Sequence, residues 1–196
     1  MAQEVESDGD EEGRWMAEFV QTRSRALFDR LYQRYRNRMV AYAMRYVRDP
    51  SRAEELAQDV FVRVYRTKSY SPDAPFRAWL YRVATNLCLN EVRKQEYGVT
   101  KHTWEPGTEV GAGAEDPEDH LLGSELSERL TRRLQALPAK QRAAFVMARF
   151  EGLSHEQIAR ALDTSVSATK SLIHRALEAL RAEVREPPSR AAGGAA

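Results

Sequence analysis

The 196-residue chain contains one cysteine, Cys88, and no apolar run close to the roughly 20 residues of a membrane-spanning helix. A lone thiol cannot form an internal disulfide, and Cys88 lies in an apolar helical stretch, where a small core residue is the ordinary interpretation. The acidic amino terminus is the opposite of the basic start of a secretory signal. These absences predict a cytoplasmic protein that does not insert into membranes.

The components of an enzyme active site are also missing. The chain has no glycine-rich phosphate loop, no spaced set of metal ligands and no nucleophile beside a suitable base. The stretch HEQIA at 155–159 begins like a zinc-protease motif, but Ala159 stands where a second histidine would be required. We therefore expect no catalytic residues, no cofactor and no metal site.

Strand-like alternation is scarce and no internal repeat is present, whereas helix-forming residues dominate the chain. The apolar spacing predicts an all-α protein of two small helical domains joined by a flexible acidic linker. The predicted segments are a disordered acidic tail (1–13), a first domain (14–97), the linker (98–123), a second domain (124–185) and a disordered tail (186–196). Within the first domain, helices are expected to break near Thr22–Ser24, at Asp49-Pro50 and at 69–75.

The overall net charge of +1 conceals a strong asymmetry along the chain. Residues 1–13 carry a net charge of −6 and residues 98–124 one of −5, whereas residues 14–97 carry +8 and residues 125–184 carry +3. Two basic helical blocks separated by an acidic spacer favour a polyanionic partner such as a nucleic acid.

The segment 154–176 has the pattern of a helix-turn-helix. Ser154 and Gln157 stand in the relation of a capping box, and Asp163 opens a tight turn because aspartate tolerates left-handed backbone angles. The second helix is predicted to bury one apolar side and to expose polar residues suited to a DNA major groove. The spacing fits equally well a helical hairpin whose polar face is only hydrated.

A more specific pattern occupies 49–95. Its first helix is predicted to bury Ala53, Leu56, Ala57, Val60, Phe61 and Val64, which leaves Glu55, Gln58 and Asp59 as a compact polar face. The next helix carries aromatic residues among cations and amides, an arrangement that suits unstacked single-stranded bases. The alternative is that Phe76, Trp79 and Tyr81 are simply core residues.

With these motifs together, the sequence resembles the extracytoplasmic-function, or group IV, sigma factors of bacterial RNA polymerase. Residues 49–95, including the ELAQDVF helix, look like sigma region 2, and residues 137–181 look like region 4. The resemblance implies a promoter-specificity subunit whose partners are core RNA polymerase, through the β′ clamp helices and the β flap, and promoter DNA. An anti-sigma factor is a further partner that the family implies.

The resemblance also assigns roles to individual residues. Those matching the polymerase-docking positions are Glu55, Gln58 and Asp59. Those matching the loop and helix that bind and melt the −10 element are Tyr70, Phe76, Trp79, Arg82, Asn86, Asn90 and Arg93. Those matching the helix that reads the −35 element are Ser167, Lys170, Ser171, His174 and Arg175.

Three positions depart from the family pattern. Leu172 and Leu177 stand where arginine is common, and Asp163 stands where a glycine-like turn residue is usual. Two fewer positive charges should weaken phosphate contacts and lower the salt dependence of DNA binding. The −35 preference of other members therefore cannot be carried over to this chain.

Two other functions compete with this interpretation. A stand-alone helix-turn-helix regulator would explain 154–176, but it has no need of the block at 49–95. A purely protein-binding module, such as an anti-sigma mimic, is disfavoured by the basic residues at 76–94 and 167–181.

Overall fold

The protein is all-α. The structure, a computed structural model, describes residues 3–47, 49–71, 75–96 and 117–185; within these ranges the side chains of 3–10, 95–96 and 117–125 lie outside the description. The described residues form eight helices: α1 (Gln3–Thr22), α2 (Arg25–Met44), α3 (Pro50–Arg66), α4 (Phe76–Glu96), α5 (Pro117–Ala136), α6 (Ala139–Arg149), α7 (His155–Ala161) and α8 (Val166–Arg185). Most of the predicted linker, together with the carboxyl-terminal tail, lies outside the described residues.

Helices α1 to α4 pack into the first domain. The breaks fall where the sequence predicts them, and Asp49 caps α3 by accepting a hydrogen bond from the backbone N–H of Arg52 at 3.2 Å. Helix α3 buries its apolar face in full: Ala53, Leu56, Ala57, Val60, Phe61 and Val64. Because charged residues occupy the opposite side of the same helix, this burial decides which face of α3 meets solvent.

The amino-terminal segment differs from the prediction of a disordered tail over 1–13. Helix α1 includes Glu11, Glu12 and Gly13, and the side chain of Glu12 is only 2% exposed. Its carboxylate accepts a hydrogen bond from the Tyr35 hydroxyl and pairs with Arg34 at 2.5 Å. Partners on α2 therefore stabilise a buried charge in a segment whose composition alone indicates disorder.

Helices α5 to α8 form the second domain, in which α5, α6 and α7 each pack against α8. Helix α5 begins at Pro117, inside the segment predicted as linker, so the linker ends earlier than expected. The expected capping box is present at the start of α7, where the Ser154 side chain and the Gln157 side chain each bond to the other's backbone N–H.

The two domains also contact each other, through α4 on one side and α6, α7 and the turn between them on the other. The Tyr81 hydroxyl donates to the Glu151 carboxylate, and the Arg77 guanidinium donates to the Glu151 backbone carbonyl. The guanidinium of Arg45 lies 3.5 Å from the centroid of the Phe150 ring. The sequence predicted separate domains on a tether and gave no sign of this contact.

Within the described ranges, every helix is too short or too polar to cross a lipid bilayer. Cys88, expected to be a core residue, is 1% exposed on the inner face of α4.

Burial raises the pKa of the Cys88 thiol to about 12, so almost none of it is thiolate at neutral pH. We expect the native protein to react with a thiol reagent such as Ellman's reagent far more slowly than the urea-unfolded chain, which supplies the control. Native labelling as fast as that of the unfolded chain would show that the inner face of α4 is open to solvent.

Candidate polymerase and nucleic-acid interfaces

The outward face of α3 carries the residues that resemblance assigns to polymerase docking. Glu55, Gln58 and Asp59 are all exposed. The Glu55 carboxylate is held by Arg52 at 2.5 Å, and Arg52 also pairs at 2.5 Å with Glu91, which is 2% exposed on α4. This bridge joins α3 to α4 and fixes Glu55 in place.

Two exposed apolar side chains, which are not among the predicted docking residues, continue the same face. Val62 is 43% exposed and Tyr65 is 55% exposed. With Glu55 and Gln58 they follow a 3-4-3 spacing, which places all four along one stripe of α3. A polar and apolar stripe with this spacing is suited to packing against a helix of another protein. The spacing in the sequence could have revealed them.

A groove of about 350 Å³ lies beside this stripe, between α2 and α3. Gln58 lines it together with Tyr32, Arg36, Asn37 and Val40. The outward face of α3 is therefore a ridge with a partly polar depression next to it, rather than a flat surface.

The outer side of α4 carries a second stripe, formed by Trp79, Arg82, Asn86, Asn90 and Arg93. Arg82, Asn86, Asn90 and Arg93 are exposed and Trp79 is half-buried. These residues are three or four positions apart, so they lie on a single helix face. Along that face the Trp79 ring is followed by two cations and two amides. Cations can contact phosphates and amides can bond base edges, so the stripe can hold a nucleic-acid strand along its length.

Two aromatic residues on α4 have a structural role instead. Phe76, predicted to contact the −10 element, is 1% exposed, and Tyr81 is fully buried. The Phe76 ring packs edge-on against Tyr35 at a centroid distance of 5.6 Å and lies 5.9 Å from Trp79. The Phe76 ring therefore packs in the core of the domain beside Trp79, and its contact with the −10 element stays a prediction.

Tyr70, in the loop between α3 and α4, is half-buried beside this aromatic cluster. Its ring meets Trp79 edge-on at 5.6 Å and Phe76 at 6.3 Å. Burial and the negative charge of Glu12 raise the pKa of Tyr70 to about 12, so the hydroxyl stays protonated and can donate a hydrogen bond. Loop residues 72–74 lie outside the described residues.

The turn between α7 and α8 explains how this helix-turn-helix does without a glycine. Asp163 has a left-handed φ of 51°. The backbone N–H of Thr164 donates to the Ala159 carbonyl at 2.9 Å, and that of Asp163 donates to the Arg160 carbonyl at 3.4 Å. These two bonds form a Schellman motif, which satisfies the last carbonyls of α7 and directs the chain into α8.

Helix α8 turns its predicted base-reading residues to solvent. All five of these residues are exposed: Ser167, Lys170, Ser171, His174 and Arg175. His174 lies 3.3 Å from the Glu178 carboxylate, and Ser171 donates to the Ser167 backbone carbonyl. On the other side, Thr169 and Ala176 are completely buried.

Leu172 and Leu177, the two departures from the family pattern, are half-buried and pack against the hydrophobic core. They strengthen the attachment of α8 to its domain at two positions where the family pattern has arginine. This gives a physical reason for expecting fewer phosphate contacts from this helix.

Two family models match this chain in the order in which the domains occur. The model for sigma-70 region 2 matches residues 31–97, which include α3 and α4. The model for sigma-70 region 4 matches residues 127–180, which include α7 and most of α8. Together they cover more than half of the chain.

Solved structures share the fold at low sequence identity. CnrH, solved in complex with the cytosolic domain of CnrY, superposes with a TM-score of 0.65 at 21% identity over 88% of this chain and 96% of its own. The sigma factor RpoE of Bartonella quintana, solved with the anti-sigma factor NepR, gives a TM-score of 0.62 at 21% identity over 80% and 96%.

Several sequence relatives are matched over most of both chains. The RNA polymerase sigma-H factor of Pseudomonas aeruginosa is 32% identical over 87% of this chain and 92% of its own. The sigma factor SigW of Bacillus subtilis is 31% identical over 78% and 86%, and the sigma-E factor of Escherichia coli K12 is 30% identical over 87% and 93%. The two matched regions and these relatives show that the chain belongs to the extracytoplasmic-function family of RNA polymerase sigma factors.

Proposed function

We propose that this sigma factor binds core RNA polymerase through α3, recognises and melts the −10 element with α4 and the loop before it, and reads the −35 element with α8. The observation that carries the proposal is the division of each of these helices into two faces. The buried face of each helix anchors it in a domain, and the opposite face presents side chains suited to the partner.

For polymerase docking, we propose that the stripe of Glu55, Gln58, Val62 and Tyr65, with Asp59 beside it, contacts the clamp helices of the β′ subunit. The acidic residues supply charge complementarity to a basic partner, and the exposed apolar side chains supply area to bury. The second domain would contact the β flap, which places α8 over upstream DNA.

Promoter melting makes and breaks no covalent bond, so binding energy on separated bases must offset the cost of unpairing and unstacking them. That cost is about a few kcal/mol per flipped base. Stacking on an aromatic side chain contributes about 1–3 kcal/mol per base. Tyr70 and Trp79 provide accessible aromatic surface, and the stripe from Arg82 to Arg93 holds the strand once it has separated.

We also propose an anti-sigma factor as a partner of this chain. Two proteins that share its fold were solved with bound partners: CnrH with the cytosolic domain of CnrY, and the Bartonella RpoE with the anti-sigma factor NepR. The exposed Val62 and Tyr65 are apolar surface that such a partner would cover in the absence of polymerase.

Asp59→Arg should abolish assembly with core polymerase, because it places a cation in an acidic docking face without touching the buried side of α3. Assembly can be measured by fluorescence anisotropy of the labelled chain titrated with purified core enzyme. Glu18→Arg is the control. It makes the same charge reversal at an exposed position of α1 and should bind as the unmodified chain does. Unchanged affinity of the Asp59 variant would refute the docking assignment.

Asn86→Ala should reduce promoter opening while the free energy of unfolding changes by less than about 0.5 kcal/mol, since the side chain is exposed. Phe76→Ala should instead lower the free energy of unfolding by about 3–5 kcal/mol, because it empties a buried site. Permanganate reactivity of −10 thymines and urea unfolding measure the two effects. A stability loss in the Asn86 variant, or none in the Phe76 variant, would contradict the assignment of faces on α4.

Arg175→Ala should weaken holoenzyme binding to the cognate −35 sequence by about 1–3 kcal/mol and should relax specificity at one position. Arg181→Ala, a similar exposed arginine further along α8, is the control. Binding to a panel of single-base −35 variants separates the possibilities. An equal loss on every sequence would make Arg175 a phosphate contact and not a base contact.

A further inference from the structure

Helix α1 lies outside both matched regions, since the region 2 match begins at residue 31. Even so, α1 and the residue after it approach the end of α3 and the following loop in two places. That loop carries Tyr70 and leads into the exposed stripe of α4. Arg23, just beyond the last residue of α1, makes one approach, and Gly13, near the middle of α1, makes the other.

Arg23 holds the beginning of the loop. One guanidinium nitrogen donates to the Tyr65 carbonyl at 2.8 Å, and the other donates to the Thr67 carbonyl at 2.8 Å. These carbonyls stand at the carboxyl end of α3, where the backbone acceptors lack helical partners. Arg23 itself has a left-handed φ of 55°, and its backbone N–H donates to the Phe19 carbonyl at 2.8 Å. The two hydrogen bonds from the Arg23 guanidinium therefore fix the position at which the chain leaves α3.

Near the middle of α1, Gly13 lies close to Tyr70. A β-carbon at this position would lie 3.5 Å from the Tyr70 hydroxyl oxygen, which is ordinary van der Waals contact. Alanine therefore fits, whereas a longer side chain would have to displace Tyr70. The neighbouring Glu12 is anchored by Tyr35 and Arg34 on α2, so this part of α1 is held firmly in place.

We propose that α1 and the Arg23 that follows it form a brace that positions the 67–71 segment for base capture, with Arg23 as the positioning residue for promoter melting. The proposal rests on the −10 role proposed above for Tyr70 and Trp79. A loop already ordered in its binding conformation avoids the entropy loss of being ordered when the base arrives. The brace therefore acts on the melting step and leaves the docking face on α3 unchanged.

The test uses holoenzyme assembled from core polymerase and the full chain, on a promoter with 2-aminopurine in the −10 element. Arg23→Gln should slow the fluorescence rise that reports base unstacking by roughly tenfold, because two hydrogen bonds to a charged donor are lost. Its affinity for core polymerase should stay within twofold of the unmodified chain. Arg23→Lys can reach only one carbonyl at a time, so its melting rate should lie between those of Arg23→Gln and the unmodified chain.

Two pairs of variants provide controls. Arg25→Gln removes a charge two residues away, from a side chain that is 93% exposed, and should melt the promoter at the unmodified rate. Gly13→Ala should also be unaffected, whereas Gly13→Leu should slow melting by displacing Tyr70. Thermal unfolding of each variant identifies any that fail to fold. If a Gly13 variant fails to fold, the comparison of Arg23→Gln with Arg25→Gln decides the question, because both side chains are exposed.

The possible failures are distinguishable. Melting by Arg23→Gln at the unmodified rate, or a loss of core affinity equal to the loss in melting rate, would overturn the brace while leaving the proposed function intact. If the unmodified holoenzyme did not unstack the −10 base at all, the proposed function itself would fail.

Discussion

Tyr81 occupies a central place in this protein because it contacts both domains from the buried face of α4. Its ring packs edge-on against Tyr42 at a centroid distance of 5.1 Å, and its hydroxyl donates to Glu151 of the second domain. Burial, reinforced by the charge of Glu151, raises the pKa of Tyr81 well above its ordinary value, so the phenol remains a donor. Since the inner face of α4 is fixed in this way, the opposite face is left for other partners.

The separation of α4 into an inner and an outer face explains how the domains can touch without covering the surfaces proposed for DNA. Tyr81 and Cys88 face inward, whereas Arg82 and Asn86 lie on the far side of the helix. The residues of α8 that resemble the −35 readers are likewise exposed while the domains are in contact. The contact between domains includes hydrogen bonds and cation–π pairs, in which Arg142 lies 4.9 Å from the Tyr46 ring. Arg142 and Tyr46 are each 3% exposed, so separating the domains would uncover buried charged and aromatic groups.

Helical periodicity predicted the domains and the buried face of α3 residue by residue, because amphipathic spacing depends only on local geometry. The caps at Asp49 and Ser154 and the turn at Asp163 were predictable for the same reason. Helix α1 was not, because Glu12 is stabilised by Arg34 and Tyr35, which are distant in sequence. Composition gives no sign of such partners.

The aromatic residues of α4 show a second limit of prediction from the sequence. Spacing alone does not tell a ring that packs in a core from one that stacks on a base, so Phe76 and Trp79 gave the same signal in the sequence. Only the position of Tyr35 beneath Phe76 separates them. The contact of Glu151 with α4 was equally hidden, since it joins residues 70 positions apart in the chain.

A sigma factor gives core polymerase its choice of promoter. The first experiment is therefore run-off transcription with purified bacterial core enzyme, with and without the chain, on fragmented genomic DNA. Discrete transcripts should appear only when the chain is present. Sequence-specific binding of the chain to DNA without polymerase, and no new transcripts with it, would contradict a sigma-factor role and identify a stand-alone regulator.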